Sequence, residues 1–344
     1  QIATNMAELT WDRLVEDKPA DLSAFGLSAP SSEVTVATKD GKSRKLSIGD
    51  ETPTGGTFFA KLDSDARVFT ISSATKGTLD KTWKDLRDKR LLTFDQDKLT
   101  RIELNAKHEQ VEFAKNSQNE WQIVRPKPLR ADGFAVEELL RKLREASMDT
   151  SLPEEEVKKA AAAFSLSAPV GTVKFTDNAG TQQIEIRKNV KANAYYARSS
   201  VTAGMHKVSD EVGQAVDKGM DAFRNKKLFD FGFTEPGKVE LHDGAKTYVF
   251  QKSGEKWSAN GKPLDATSVQ ALLDKLRDLA AIKFVDKGFT SPILDITVAA
   301  KNSEKVLISK SGDSYIAKRD NEPALYELDS KAVEQLQSAA AAVK

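Results

Sequence analysis

The sequence predicts an α+β fold of tandem modules, each a small antiparallel β-sheet followed by a helix, with ββββα and βββα modules alternating. Three observations carry this reading. A strand signature, Phe58-Phe59-Ala60-Lys61, returns as Tyr195-Tyr196-Ala197-Arg198 and as Tyr315-Ile316-Ala317-Lys318. A tryptophan strand leading to an aspartate-capped helix occurs twice, as Trp121 with Asp132 and Trp257 with Asp265. Short stretches of alternating apolar and polar residues fill the rest, punctuated by Gly, Asn and Asp. Self-similarity of this kind marks supersecondary units laid end to end.

Residues 1–24 read as the end of an upstream module, with Met6-Ala7-Glu8-Leu9 closing its helix. The first repeat spans 25–150. Its ββββα half, 25–90, opens with the linker Phe25-Gly26-Leu27-Ser28-Ala29-Pro30. Val34-Thr35-Val36-Ala37-Thr38 turns at Asp40-Gly41 into Lys45-Leu46-Ser47-Ile48, and the aromatic strand and Arg67–Ser72 follow. A helix is predicted to carry Leu79, Trp83, Leu86 and Leu91 on one face. The βββα half, 91–150, has strands at Arg101–Leu104, Val111–Phe113 and Glu120–Ile123. Its helix is capped by Asp132 and faced by Val136, Leu139, Leu140 and Leu143.

The second repeat, 151–285, repeats both halves. In 164–226, Phe164-Ser165-Leu166-Ser167-Ala168-Pro169 echoes the linker, and Val216, Met220 and Phe223 match the first helix. In 227–285, Lys238–Leu241, Tyr248–Phe250 and Lys256–Ser258 precede a helix capped by Asp265 and faced by Val269, Leu272, Leu273 and Leu276. A final ββββα half repeat, 286–344, ends on Val333, Leu336 and an Ala-rich tail.

Composition bounds the function. The chain has 344 residues, 39% hydrophobic and 30% charged, which is a globular balance. Its 52 Lys and Arg nearly cancel 51 Asp and Glu, and the densest cluster, Lys84–Arg90, alternates in sign. A nucleic-acid track would need a basic excess or stripe, so no nucleic-acid partner is expected. The absence of cysteine removes disulfides, thiolate nucleophiles and Cys-based zinc sites. No apolar run approaches the roughly 18 residues of a membrane span. The opening at Gln1, with the first methionine at Met6 inside a helical stretch, reads as a processed or truncated N-terminus.

Two junctions share a further pattern: Leu86-Arg87-Asp88-Lys89-Arg90-Leu91-Leu92-Thr93-Phe94-Asp95 and Phe223-Arg224-Asn225-Lys226-Lys227-Leu228-Phe229-Asp230-Phe231. With the aromatic-x-Ala-Lys/Arg strand and the Trp and capped-helix units, they make the chain resemble the bacterial domain of unknown function family 4340. The resemblance implies an envelope protein with an N-terminal membrane anchor, encoded beside ABC-type permeases and gliding-motility-like auxiliary proteins. None of the shared motifs is catalytic.

Candidate chemistry is sparse. His206 stands in the register of Phe69 and Tyr326, as a replaced aromatic. His108 and His242 lie in matching hairpins, and neither has a histidine at metal-ligand spacing. Glu154-Glu155-Glu156 precedes an Ala-rich helix, where acidic residues favour the positive helix end. Gly55-Gly56 lacks the Lys-Ser/Thr of a phosphate loop. Lys61, Arg198 and Lys318 recur once per copy, which suits a demand of the fold such as a charged strand better than a unique site. Trp121 and Trp257 could form a stacking platform, but matched positions on matched strands argue for core.

The sequence therefore assigns no catalytic residue, no metal ligand and no cofactor, and leaves the ligand-binding residues unassigned. The expected function is a non-catalytic, extracytoplasmic scaffold or binding module with protein partners in an envelope ABC-transporter complex. It would touch the membrane only through an upstream anchor. The alternatives are an envelope glycan- or lipid-binding protein using a groove between modules, and an unrecognised hydrolase.

Overall fold

The computed structural model describes residues 2–150 and 152–344. It divides into two compact units, one ending at Lys89 and one running from Arg90 to Lys344. The fold is α+β throughout, with eight α-helices and three antiparallel sheets among the described residues.

In the first unit, α1 (Ile2–Ala7) and β1 (Arg13–Glu16) precede a meander of β2 (Ser32–Ala37), β3 (Ser43–Glu51), β4 (Thr57–Leu62) and β5 (Val68–Ser72). Helix α2 (Ser73–Leu79) follows, capped by the Ser72 side chain, and α3 (Trp83–Leu86) adds one turn. The sheet order is β1-β5-β4-β3-β2. Leu46, Ile48, Ala60, Phe69, Ile71 and Leu79 form the core, with Ile2, Met6 and Leu9 packed against it. Gly49 is required by close approach, because the Phe25 carbonyl oxygen lies 2.0 Å from where a Cβ would stand.

The second unit holds two larger sheets. The first contains β6 (Arg101–Ala106), β7 (Glu109–Lys115), β8 (Trp121–Arg125) and the two-residue β9 (Leu129–Arg130), followed by α4 (Gly133–Arg144). After α5 (Glu154–Leu166) come β10 (Ala168–Asp177), β11 (Gly180–Asn189), β12 (Ala194–Ser199), β13 (Met205–Val208) and α6 (Asp210–Val216). These eight strands run β13-β12-β11-β10-β6-β7-β8-β9. The second sheet begins with β14 (Lys238–Asp243), β15 (Lys246–Ser253), β16 (Lys256–Ala259), β17 (Lys262–Pro263) and α7 (Ala266–Asp278). It ends with β18 (Ala281–Val285), β19 (Pro292–Ala299), β20 (Ser303–Ser311), β21 (Ser314–Arg319), β22 (Leu325–Leu328) and α8 (Ser330–Ala342). Its order is β17-β16-β15-β14-β19-β20-β21-β22-β18.

The repeated alanine holds one position in all three meanders. Ala60 faces Ile48 and Phe69, Ala197 faces Ile186 and His206, and Ala317 faces Ile308 and Tyr326. All three alanines are fully buried, so a larger side chain there would collide with the helix-side core. Helices cover one face of each sheet and pack in pairs: α1 with α2, α4 with α6, and α7 with α8. On β6, Ile102, Leu104 and Ala106 point into this layer, while Arg101, Glu103 and Asn105 face outward. The outward faces carry ion pairs such as Arg101–Glu112 at 2.8 Å and Lys305–Asp295 at 2.7 Å. Asp132 and Asp265 cap α4 and α7, accepting from Ala135 N at 3.1 Å and Ser268 N at 2.8 Å.

Four details differ from the sequence reading. Leu79, Trp83, Leu86 and Leu91 do not share a helix: α2 stops at Leu79, and Trp83 and Leu86 are 66% and 61% exposed. Thr82 and Asp85 form a capping box that starts a new turn and competes with continuation of α2. Likewise α6 stops at Val216, ahead of Gly219, and Met220–Phe223 forms a separate 3-10 turn. The modules at 91–150 and 227–285 each gain a short fourth strand, β9 and β17. The sheets also join each of these modules to the one that follows it, through β6–β10 and β14–β19, rather than to the one before.

Candidate functional site

A cleft of about 660 Å³ opens in the second unit where the two larger sheets meet. One wall is the β7–β8 hairpin with Asn116 and Gln118, and the other is the β19–β20 turn with Asn302 and Ser303. Arg130, Asp230, Glu304 and Arg319 form its floor.

These residues reach the floor by different routes. Arg130 sits on β9, the two-residue strand that the sequence did not announce. Asp230 belongs to the junction motif and is placed by Asn225 Nδ2, which donates to Asp230 Oδ1 at 2.9 Å. Arg319 lies on β21 two residues beyond Ala317, so strand alternation turns it to the same buried face. The matching positions in the other copies hold Leu62 and Ser199.

Arg130 bridges the sheets. Its Nη1 donates to Asp230 Oδ2 at 2.6 Å, and its Nη2 donates to the Lys227 carbonyl at 2.7 Å and to Tyr326 Oη at 3.0 Å. The same Nη2 meets Glu322 Oε1 at 3.2 Å. Arg319 Nη1 donates to Glu304 Oε2 at 3.0 Å and to the Leu228 carbonyl, and its Nε lies 3.3 Å from Glu322. Glu304 also accepts from the Asp230 backbone N–H at 2.8 Å. Two guanidinium groups are thus matched by three carboxylates within one network.

Electrostatics hold two members of this network, Arg130 and Tyr326, protonated. Burial opposes the charge of Arg130, but Tyr326, Asp230 and Glu322 together hold its pKa above the ordinary arginine value. Burial, with Glu322 accepting its hydroxyl hydrogen, pushes Tyr326 up to about 12 against the opposing pull of Arg130. A phenol held protonated this far above neutrality is a poor general base at physiological pH. The rim offers mainly amide and hydroxyl groups that can donate and accept hydrogen bonds, beside Lys301 and a Glu120 that accepts from Asn116 Nδ2 at 3.0 Å.

The residues singled out from sequence lie elsewhere. His108 is exposed in the β6–β7 turn with a positive φ of 61°. His206 is half-buried on β13 with Nε2 3.2 Å from the Ala203 carbonyl. His242 on β14 contacts Thr247 Oγ1 at 3.0 Å and Glu240 Oε1 at 3.3 Å. Glu154, Glu155 and Glu156 form the first turn of α5, beside Lys158 and Lys159. Gly55 and Gly56 make the β3–β4 turn at positive φ, with Gly56 N donating to Glu51 at 2.9 Å.

The recurring cations are used differently in each copy. Lys61 donates to the Asp65 carbonyl at 2.6 Å, Arg198 pairs with Glu185, and Lys318 lies on β21 opposite Leu307 and Leu325. Burial raises the Glu185 carboxyl, but Arg187 and Arg198 outweigh it and hold it below its usual range. Trp121 and Trp257 are both 5% exposed, and their indole N–H groups donate to Glu137 at 2.7 Å and Glu235 at 3.0 Å. They belong to the core and form no stacking platform. Among the described residues, no group of three or more His, Cys, Asp or Glu is arranged to hold a metal, and no helix is long and apolar enough to cross a membrane.

The sequence signal for the cleft was a single violation of pattern, an arginine at the inward position of β21. Nothing local linked it to Arg130 or Asp230. In comparisons with known proteins, the model of a domain of unknown function, DUF4340, matches residues 1–122 and 121–294. No curated protein and no solved structure matches the chain.

Proposed function

The chain belongs to the DUF4340 family, and on that premise we propose that it is a non-catalytic binding and scaffolding module on the extracytoplasmic side of a bacterial envelope complex built around an ABC-type transporter. One observation carries the non-catalytic part of this reading. In the cleft between the larger sheets, the four charged groups of the floor are committed, with Glu322 behind them, to one ion-pair network, and the rim is mostly amide and hydroxyl groups, with Glu120 and Lys301 its only charges among the lining residues. Such a floor fixes shape, and such a rim recognises a surface. The envelope and transporter setting rests on the family resemblance of the junction and strand motifs.

The test is site-specific photo-crosslinking in the source bacterium. A crosslinking residue at Gln118 or Asn321, both exposed at the cleft, captures a component of the transporter complex, whereas one at Lys191 in the β11–β12 turn does not. Equal labelling from all three positions refutes the cleft as a docking surface. The amide-rich lining also supports a second reading, a neutral envelope glycan held by Asn and Gln side chains. That reading predicts crosslinks to saccharide in place of protein.

A further inference from the structure

The chain passes from the first larger sheet to the second through the junction at residues 223–231. On the near side, Phe223 packs on Phe113 with ring centroids 5.3 Å apart, and Asn225 N donates to the Arg130 carbonyl at 3.0 Å. On the far side, Leu228 N donates to the Leu279 carbonyl at 2.9 Å. Among the described residues no strand pairs across this boundary, and the helix pairs α4–α6 and α7–α8 each stay with their own sheet. Two arginine side chains cross it. Arg224 stacks on Phe284 of β18, with its guanidinium carbon 3.3 Å from the ring centroid, and Arg130 reaches from β9 into the ion-pair network of the cleft floor.

The charges of that network are not a demand of the backbone, because the chain makes the same contacts elsewhere in neutral form. Aligned through Ala197 and Ala317 and through the two junctions, Asp230, Glu304, Arg319 and Glu322 correspond to Thr93, Gln182, Ser199 and Thr202. The Asp230 N–H donates to Glu304 at 2.8 Å, and the Thr93 N–H donates to Gln182 Oε1 at 2.9 Å. Arg319 donates to the Leu228 carbonyl, and Ser199 Oγ donates to the Leu91 carbonyl. Both copies satisfy the same two backbone groups, one with ionised side chains and one without. Taking ions out of water opposes folding, and the neutral set carries no such cost. What the charged set adds is a receptor for Arg130, whose position in the matching module is held by Pro263.

We infer that Arg130 is the positioning residue of the cleft: its guanidinium, held by Asp230, Glu322, Tyr326 and the Lys227 carbonyl, sets the distance between the two walls. The walls belong to different sheets, so they present one fixed surface only if the boundary between them is fixed. Arg130 is coupled to both. Its backbone pairs with Gln122 of β8, the strand that carries one wall. On the other side, Arg319 holds Glu304, which directly follows Asn302 and Ser303 of the opposite wall. A planar forked donor suits the task, because it fixes orientation as well as separation. Layers joined by one covalent crossing move against each other unless such contacts hold them. The inference rests on the reading of the cleft as a docking surface.

The chain has no cysteine, so paired spin labels can report the spacing directly. Gln118→Cys with Asn302→Cys spans the walls, and Asn302→Cys with Asp313→Cys, at the two ends of β20, stays within one sheet. Double electron–electron resonance on the otherwise unaltered chain should give a narrow distance distribution for both pairs. Arg130→Gln should broaden the wall-to-wall distribution about twofold or more and leave the β20 pair narrow, as motion of one sheet against the other requires. Arg130→Lys keeps the charge without the fork and should fall between the two. Should Arg130→Gln not fold, the same broadening must be seen in a chain that also carries the neutral set, Asp230→Thr, Glu304→Gln, Arg319→Ser and Glu322→Thr. A wall-to-wall distribution as narrow as the original in the folded variant overturns the inference. Equal broadening of both pairs also overturns it, since that marks a general loosening. The distances need no partner, so failure of the docking reading, seen as equal crosslinking from Gln118, Asn321 and Lys191, is distinguishable from failure of this one.

Discussion

Replacing Tyr326 by Phe tests the locked network under the cleft, and its signature is a dependence on pH. The hydroxyl donates to Glu322 and accepts from Arg130 at 3.0 Å, and the side chain is 2% exposed. Hydrogen bonds to charged groups contribute about 1.5–3 kcal/mol each, and both partners keep other contacts in the variant, so a total loss in that range is expected at pH 8. The folded pKa, about 12, lies above the unfolded value near 10. A raised folded pKa means that the stabilisation is complete below pH 10 and is lost as pH rises through 12. At pH 11 the unfolded tyrosine has ionised and the folded one has not, which costs the wild-type chain about 1.4 kcal/mol. Phenylalanine has no such cost, so the gap between the two proteins should narrow by that amount between pH 8 and pH 11. Urea unfolding followed by far-UV circular dichroism measures it, since the other titrating groups are common to both chains. A gap that stays constant or widens over this range would refute the assignment of Tyr326 as a buried, protonated donor.

Two other outcomes follow from the same structure. Trp257→Ala should cost about 3–5 kcal/mol in a chemical denaturation curve, because the indole is enclosed by the core and its N–H is bonded to Glu235; a loss under 1 kcal/mol would mean that the side chain is not packed as described. The triple variant His108→Ala, His206→Ala, His242→Ala should complement a deletion strain as fully as the wild-type gene while keeping its circular dichroism spectrum. Loss of complementation by a folded triple variant would return a histidine to the functional site.

The parts of the fold that could be read from sequence were those fixed by local pattern. The alanine of each aromatic strand, the aspartate caps of α4 and α7 and the buried tryptophans each follow from alternation, capping or helical spacing within a few residues. Helix ends were harder, because Trp83 and Leu86 keep helical spacing across the point where Thr82 begins a new turn. The seams β6–β10 and β14–β19 left no trace, since an antiparallel pairing between modules places no demand on either strand beyond the alternation it already has. The cleft was the least legible part. Arg130, Asp230 and Arg319 are brought together from distant points in the chain by the meeting of two sheets, and only the inward-facing Arg319 broke a local rule.

Those seams also set an order of events during synthesis. Arg101 pairs with Thr176 and Lys238 with Ala299, so β6 and β14 leave the ribosome long before their neighbours exist. Until then each waits with one side unbonded, beside residues such as Ile102 and Leu104 that are buried in the finished protein. Nascent chains halted between the two halves of a sheet would carry a sticky border, and pairing between neighbouring chains on one polysome would compete with the correct closure. Closure over such sequence separations is slow compared with forming a hairpin. The first border closes only after β10, beginning at Ala168, has been made, and the second only after β19, beginning at Pro292.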